Sequence, residues 1–458
     1  MFFAVFLLTI YFIFLIFILK KSYTKNSIYP ILYIILFLPT YSFFQIIIYD
    51  ISNEIFLVEL IKYSKDFTIF SILFIYLFGR KNPLLNIKWK ITNLDILFLL
   101  FTLTVFCFIV FQIGESNFTE RIIYGKNLLL ISSVYFIGRN INYSLLDLNY
   151  INKILVLLTI IACFVSIFEF LTNTHLHSLI NYSSYYLDLY SIDPTGNYGL
   201  SWTFERPGPI KRYGSFFADP LEFSSFLLLG FSIGIYKIFK SNILVNKLYH
   251  CLFISIVIFG FYLSYSRSAI LGGFLLLFFS LFLMNKFRLF INLFLLTFLL
   301  AFLIYYNSSL ETKYFIIDSI TFQNSSSLGH LFNWIQGILS IYDNPFGTGL
   351  GTSGNSISVD NEIAIGGENQ FIIIGVQMGI VALINYVGLI IYSIYNSYKL
   401  YNLEKDKSLK YLPFIVCCLK FSLILPLLTS NAEIYTFISL FGWFFVGLNE
   451  RRYSILKN

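Results

Sequence analysis

Charge is scarce in this 458-residue chain. Asp, Glu, Lys and Arg make up 12% of it, about half the share found in soluble domains. So little charge cannot cover a water-facing surface, which excludes an ordinary soluble fold. Cysteine is also rare. The five, Cys107, Cys163, Cys251, Cys417 and Cys418, all fall in apolar runs, so a disulfide framework and a Cys-based metal spacing are both excluded. Internal repeats, low-complexity linkers and a Walker-type Gly-Lys-Ser/Thr sequence are missing too, which removes solenoids and the common nucleotide-binding loop. Apolar residues make up 57% of the chain, and the mean hydropathy is +0.77. Lipid must take the place of water around most of it.

A membrane span needs about 20 mostly apolar residues. Thirteen segments qualify: 2–19, 28–49, 55–79, 94–113, 121–138, 154–171, 215–236, 250–264, 269–284, 289–306, 369–391, 411–428 and 433–448. Several are short, so the fold class is an all-α polytopic membrane protein with about 12–14 transmembrane helices. The first run has no preceding charge and is followed by Lys20 and Lys21. It reads as a helix, not a signal peptide. The net charge of +7 is not a nucleic-acid signal, because the cations fall in every second connection, as the positive-inside rule requires. They are Lys20, Lys21 and Lys25; Arg80, Lys81, Lys88 and Lys90; Arg139 and Lys153; Lys237, Lys240 and Lys247; Lys286 and Arg288; Lys399, Lys405, Lys407 and Lys410; then Arg451, Arg452 and Lys457. This pattern predicts a cytoplasmic C-terminus and an external N-terminus.

One integral domain, 1–458, is the simplest organisation, with two long external loops at 172–214 and 307–368. Leu179, Tyr182, Tyr186 and Leu189 predict a short amphipathic helix in the first loop. Leu328, Leu331, Ile335, Ile338 and Tyr342 predict another in the second. Polar residues at membrane depth or at its outer face stay only if paired or used. Three clusters stand out. Arg206 to Pro220 closes the first loop, and its Asp219-Pro220 pair fits a helix N-cap followed by proline. There Arg206 and Lys211 read equally as solvated loop charges, while Arg212 lies close to the start of a span. Arg267, within Ser264-Tyr265-Ser266-Arg267-Ser268, is either a snorkelling interfacial cation or an anion-binding fork. In the second loop, His330 and Trp334 precede Gly347-Thr348-Gly349-Leu350-Gly351, and Glu368-Asn369-Gln370-Phe371 opens a span. Glu368 is a candidate base or a carboxylate favoured by a helix N-terminus. Lys420 falls mid-span with no assigned role.

These three stretches, in this order, resemble the bacterial O-antigen polymerase and ligase family, the Wzy-type membrane glycosyltransferases. Arg212-Tyr213-Gly214-Ser215-Phe216 with Asp219-Pro220 is similar to the family's Arg-x-x-Gly-x-Phe-x-x-Pro stretch. Ser264-Tyr265-Ser266-Arg267-Ser268 is similar to its Ser-x-Ser-Arg hairpin. His330-x-x-x-Trp334 with Asn344-Pro345-Phe346-Gly347-x-Gly349-x-Gly351 resembles its Arg-x-x-x-Trp and Pro-x-x-Gly-x-Gly loop. The likeness runs over 212–379. His330 stands where the family has Arg, and Glu368 where its ligases carry His. The second difference favours polymerase over ligase.

The resemblance implies a GT-C-like architecture in a bacterial cell (inner) membrane. It implies transfer of a growing glycan from polyprenyl pyrophosphate to a new lipid-linked repeat unit outside the membrane, building O-antigen, capsule or exopolysaccharide. Arg212, Arg267 and Lys211 would hold the pyrophosphate, and Glu368 or His330 would act on the acceptor hydroxyl. Arg206, Trp202, Trp334 and Asn369 would meet the glycan. Tyr185, Tyr186, Tyr190 and Phe204 join Trp202 as sugar-stacking or interfacial aromatics. No metal and no cofactor is implied, and no nucleic acid. The implied partners are polyprenyl-pyrophosphate-linked oligosaccharides, membrane lipid, a flippase and a chain-length regulator. Two other readings remain: a ligase moving finished glycan to a lipid or protein, and a lipid-linked oligosaccharide flippase. The flippase reading lacks the paired repeats and broken helices in both halves that transporters often show.

Overall fold

A computed structural model of the chain describes residues 1–24, 28–79, 90–114, 116–141, 146–206, 210–321, 323, 325–354, 366–406 and 408–457. Lys25, Arg80, Lys81, Lys88, Lys407 and Pro207 to Pro209 therefore lie outside the described residues. The fold is all-α and polytopic. Its helices are α1 (Phe2–Tyr23), α2 (Ile28–Leu36), α3 (Tyr41–Ser52), α4 (Ile55–Phe78), α5 (Asn93–Val110), α6 (Phe118–Asn140), α7 (Leu148–Thr172), α8 (Tyr182–Tyr190), α9 (Pro220–Lys240) and α10 (Leu244–Ser264). They continue with α11 (Arg267–Leu283), α12 (Phe287–Asn307), α13 (Leu310–Ile320), α14 (Ser325–Asp343), α15 (Gln370–Leu403), α16 (Tyr411–Ser422), α17 (Ile424–Thr429) and α18 (Thr436–Leu456). Strands β1 (Glu205–Arg206) and β2 (Ile210–Lys211) form one small antiparallel hairpin.

Each of the thirteen apolar segments is helical. Among the described residues, nine helical stretches are long and apolar enough to cross a membrane. α4, α6 and α18 fall short in hydropathy because they carry charge, and α11 because it is short. The charges are answered inside the bundle. In α4, Asp66 pairs with Lys126 of α6 at 2.5 Å and with Lys65 at 3.5 Å. Arg139 of α6 meets Asp95 of α5 at 3.0 Å, and Tyr135 donates to the same carboxylate at 2.6 Å. Such pairing is what makes charge tolerable at this depth.

The helices pack through small residues. A Cβ on Gly138 of α6 would come within 2.1 Å of the Phe444 carbonyl oxygen, and one on Gly447 of α18 within 2.1 Å of the Tyr135 carbonyl oxygen. These two glycines bring the α6 and α18 backbones together, as small residues do between membrane helices. Helix α9 is central and almost wholly buried, whereas α12 has no buried residue in its apolar window and faces lipid.

Both predicted loop helices form, as α8 and α14, and α13 precedes α14 in the second loop. The first loop lies on the protein. Tyr182 and Tyr185 of α8 pack with Ile46, Tyr49, Val58, Leu200 and Phe204, and Asp188 accepts a hydrogen bond from Tyr49. Glu169, buried at the end of α7, pins both ends of the loop by accepting from the Leu176 and Ser215 backbone N–H groups at 2.8 Å each.

Candidate functional site

The Gly-rich stretch of the second loop has a structural task. Helix α15 is broken at Gly379, whose backbone sits at φ +80° and ψ 177°. A break frees carbonyl and N–H groups that need partners. The loop supplies them: Thr348 N–H donates to the Val376 carbonyl at 2.8 Å, Gly349 N–H to Gln377 at 3.0 Å, and Ile380 N–H to Pro345 at 2.9 Å. Gly347 at φ +90° lets the strand of loop lie against the break, where a Cβ would meet the Gln377 oxygen at 2.6 Å. The loop thus locks the first ten residues of α15, and with them Glu368 and Asn369, in place.

Helix α14 is held against the same region. A Cβ on Gly337 would meet Ile372 at 2.2 Å, and one on Gly367 would meet Asn333 at 2.8 Å. His330 and Glu368 are thereby fixed from two sides of one packed unit. The third element is the turn between α10 and α11. Tyr265 takes the left-handed conformation at φ 48°, which reverses the chain in two residues and leaves Arg267 as the first residue of α11.

The hairpin β1–β2 docks on that turn. Tyr213 N–H donates to the Leu263 carbonyl at 3.1 Å, and Arg212 Nε to the Ser264 carbonyl at 3.1 Å. Arg206 stacks its guanidinium on the Tyr265 ring at 5.3 Å. Asp219 caps α9 by accepting from Leu221 N–H at 2.8 Å and Glu222 N–H at 2.7 Å, as its Asp-Pro sequence predicts.

These elements bring charges from four parts of the chain within reach of one another. Burial weighs against the Arg212 charge, Asp219 supports it, and Arg206 and Arg267 oppose it. Burial raises the Glu368 carboxyl above its ordinary range; Asp219 adds to the rise and Arg212 opposes it. Burial lowers His330, and the Arg267 charge lowers it further. Arg206, Arg212, Arg267, His330 and Glu368 therefore share one electrostatic neighbourhood. Such a constellation offers anion-binding forks beside two groups able to take a proton.

The other sequence candidates make contacts of their own. Lys211 donates to the Asn173 carbonyl and lies 4.6 Å over the Tyr198 ring. Arg212, the next residue, bonds instead to the Ser264 carbonyl of the α10–α11 turn. Asn369 uses its side-chain oxygen to cap α15, accepting from Phe371 N–H at 3.1 Å and Ile372 N–H at 3.3 Å. Trp334 belongs to α14, and its indole N–H is buried without a partner among the described residues. Trp202 is 60% exposed and donates to Thr195. Tyr185 and Phe204 are buried at 3% and 0%, so neither is free to stack on a sugar. Their apolar rings stabilise the loop by leaving water.

Sequence reading missed Tyr435, a buried residue at the N-cap of α18 that feels the charges of both Asp219 and Glu368. It also missed the ion pairs that Lys65 and Lys126 make with Asp66 inside the bundle. A charged residue inside an apolar run was the available signal.

His175 and His177 are core histidines. Their rings pack edge-on or tilted against Phe43, Tyr182, Phe204 and Tyr213. Burial holds His177 down at about 3, helped by His175, and His175 down at about 4, helped by Lys211. Free histidine titrates near 6.5. The unfolded loop therefore takes up protons that the folded loop refuses, and loop stability falls as pH drops from about 6.5 toward 3. Limited proteolysis of the 191–200 segment is expected to accelerate between pH 7 and pH 4.5. His177→Phe, which keeps the ring and removes the titration, is expected to flatten that pH dependence. Equal flattening by a surface substitution such as Lys313→Ala would show the effect to be general.

Residues 252–387 match the family model described as O-antigen ligase. No curated protein matches the chain. The matched segment covers less than half of the chain, yet it contains the Arg267 turn, α14 with His330, the Gly-rich loop, Glu368 and the broken start of α15. This segment, within an all-α multi-pass bundle, supports the family of O-antigen ligases and polymerases for the protein.

Proposed function

We propose that the protein is a polymerase of lipid-linked oligosaccharide repeat units, with its reaction centre at the Arg206–Arg212–Arg267 cluster. The observation that supports this best is the electrostatic neighbourhood that Arg206, Arg212 and Arg267 share with Glu368 before α15 and His330 of α14. A glycan leaving a polyprenyl pyrophosphate leaves a diphosphate behind. Arginine forks meet that charge as it develops. The acceptor hydroxyl must lose a proton, and in this reading Glu368 or His330 receives it. The polyprenyl tail then lies among the apolar helices.

In this reading the two loops face outside, the C-terminus is cytoplasmic, and the protein sits in a bacterial cell membrane beside a flippase that supplies the repeat units and a regulator of chain length. The ligase reading is favoured by the description of the matching family. It differs in its acceptor, which is not a lipid-linked repeat unit.

Reconstituted protein given only polyprenyl-pyrophosphate-linked repeat units is expected to produce a ladder of polymer lengths. A product that appears only after a second lipid or protein acceptor is added would make it a ligase. Reporter fusions are expected to read outside at Asn197 and cytoplasmic at Lys405, and the reverse result would remove the centre from the outer face.

A further inference from the structure

A cavity lies at the end of α9 opposite Asp219. It has a volume of about 450 Å³ and is lined by Lys237, Lys240, His250, Asn149, Asn246 and Tyr411, among others. Among the described residues, none that lines it is acidic. Two carboxylates stand near it in sequence, and both are engaged locally. Asp147 accepts from the Asn149 and Tyr150 N–H groups at 3.0 and 3.1 Å. Asp406 accepts from the Ser408 N–H and hydroxyl at 2.8 and 2.7 Å.

Helix ends also meet here, the C-terminus of α9 among them. Three helices begin at this cavity: α7 with Leu148 and Asn149, α10 with Asn246 in its first turn, and α16 with Tyr411. Helix N-termini carry partial positive charge. Neither α10 nor α16 has a side-chain hydrogen bond at its N-cap. The last turn of α9 contributes Lys237 and Lys240, and Lys153 adds its charge beside Lys237.

The position selects the ligand. Helix α9 has 21 residues, a length of about 31 Å at 1.5 Å per residue. That matches the roughly 30 Å hydrocarbon core of a bilayer. Asp219 caps one end near the arginine cluster, and the lysine cavity sits at the other. The cavity is therefore at the headgroup level of the opposite leaflet. We propose that it binds the phosphate of an anionic lipid headgroup. Basic pockets between membrane helices suit this chemistry.

The test uses purified full-length protein in neutral detergent. Dioleoylphosphatidylglycerol, dioleoylphosphatidylcholine and inorganic phosphate are each titrated, with bound lipid counted by native mass spectrometry and thermal shift read alongside. The phosphatidylglycerol is expected to bind about tenfold tighter than the phosphatidylcholine. Lys237→Ala with Lys240→Ala is expected to weaken it about tenfold or more, because each lysine near an anionic headgroup contributes measurably. Lys286→Ala with Arg288→Ala removes equal charge from exposed positions outside the cavity and is expected to leave binding unchanged. Asn246→Asp provides a second cavity variant. Asn246 is exposed, and an acid in a first helical turn supports folding, so weakened binding there reports the cavity. Equal stabilisation by inorganic phosphate, lost in the cavity variants, would keep the anion site and make its ligand soluble. Equal binding of the two lipids, or equal loss in the control pair, would overturn the proposal.

Discussion

Arg267→Ala is expected to abolish long glycan chains while the protein stays in the membrane at a normal level. The side chain is exposed at the first residue of α11, so its removal leaves no cavity in the core. Its charge reaches His330 and Arg212, which ties it to the reaction centre and not to lipid alone. Removing one preorganised donor from a developing anion typically costs about 100-fold or more in rate. Arg212→Ala is expected to lose as much. It also breaks the bond that holds the segment after β2 to the Ser264 carbonyl, so its thermal stability should fall slightly where that of Arg267→Ala does not. Arg267→Lys keeps the charge but lacks the paired fork, and is expected to recover only part of the rate. The readout is polymer length distribution on gels from cells carrying each variant, normalised to protein in the membrane. Full-length polymer from Arg267→Ala would return this arginine to the role of an interfacial anchor.

The fold was legible where it rested on local pattern. Thirteen apolar runs became helices because a bilayer forces every backbone N–H and C=O to pair within its own segment. The loop helices α8 and α14 were visible from their 3.6-residue spacing, and Asp219-Pro220 from cap chemistry. What escaped notice depends on partners far apart in the chain. Lys420 reads as an unexplained cation in mid-span, yet its ammonium lies 3.3 Å from the centre of the Trp443 ring and near Glu433. Lys126 meets Asp66 across sixty residues of sequence. The Gly-rich loop is a similar case. Its residues line the break at Gly379, and no local rule places that break. Within the site, the residue types were legible and their directions were not. Arg212 and Lys211 are neighbours with equal charge, yet Arg212 bonds the Ser264 carbonyl and Lys211 the Asn173 carbonyl, and no local pattern tells them apart.

Glu368→Gln is expected to lower polymerisation by about 10²–10⁴-fold, the usual contribution of a general base, while lipid-linked substrate still binds and single repeat units accumulate. The substitution keeps size and hydrogen bonding and removes only the proton-accepting oxygen. Burial and Asp219 raise the Glu368 carboxyl above the ordinary carboxylate range, which brings it closer to neutral pH and makes it a better base. The sign of the pH effect follows. The base works deprotonated, so the rate should fall on acidification, and should begin to fall at a higher pH than an ordinary carboxylate would give. His330 is the rival. Burial and Arg267 lower its pKa, so a His330 base would lose activity at a lower pH than ordinary histidine. The two shifts move toward each other, and the acid limb alone does not separate them. The variants do. With purified protein and lipid-linked repeat units, His330→Ala is expected to keep a measurable rate with the acid limb unmoved, whereas Glu368→Gln loses both the rate and the limb. Near wild-type polymerisation by Glu368→Gln together with loss in His330→Ala would give the proton to His330 and leave Glu368 as a carboxylate beside the helix start.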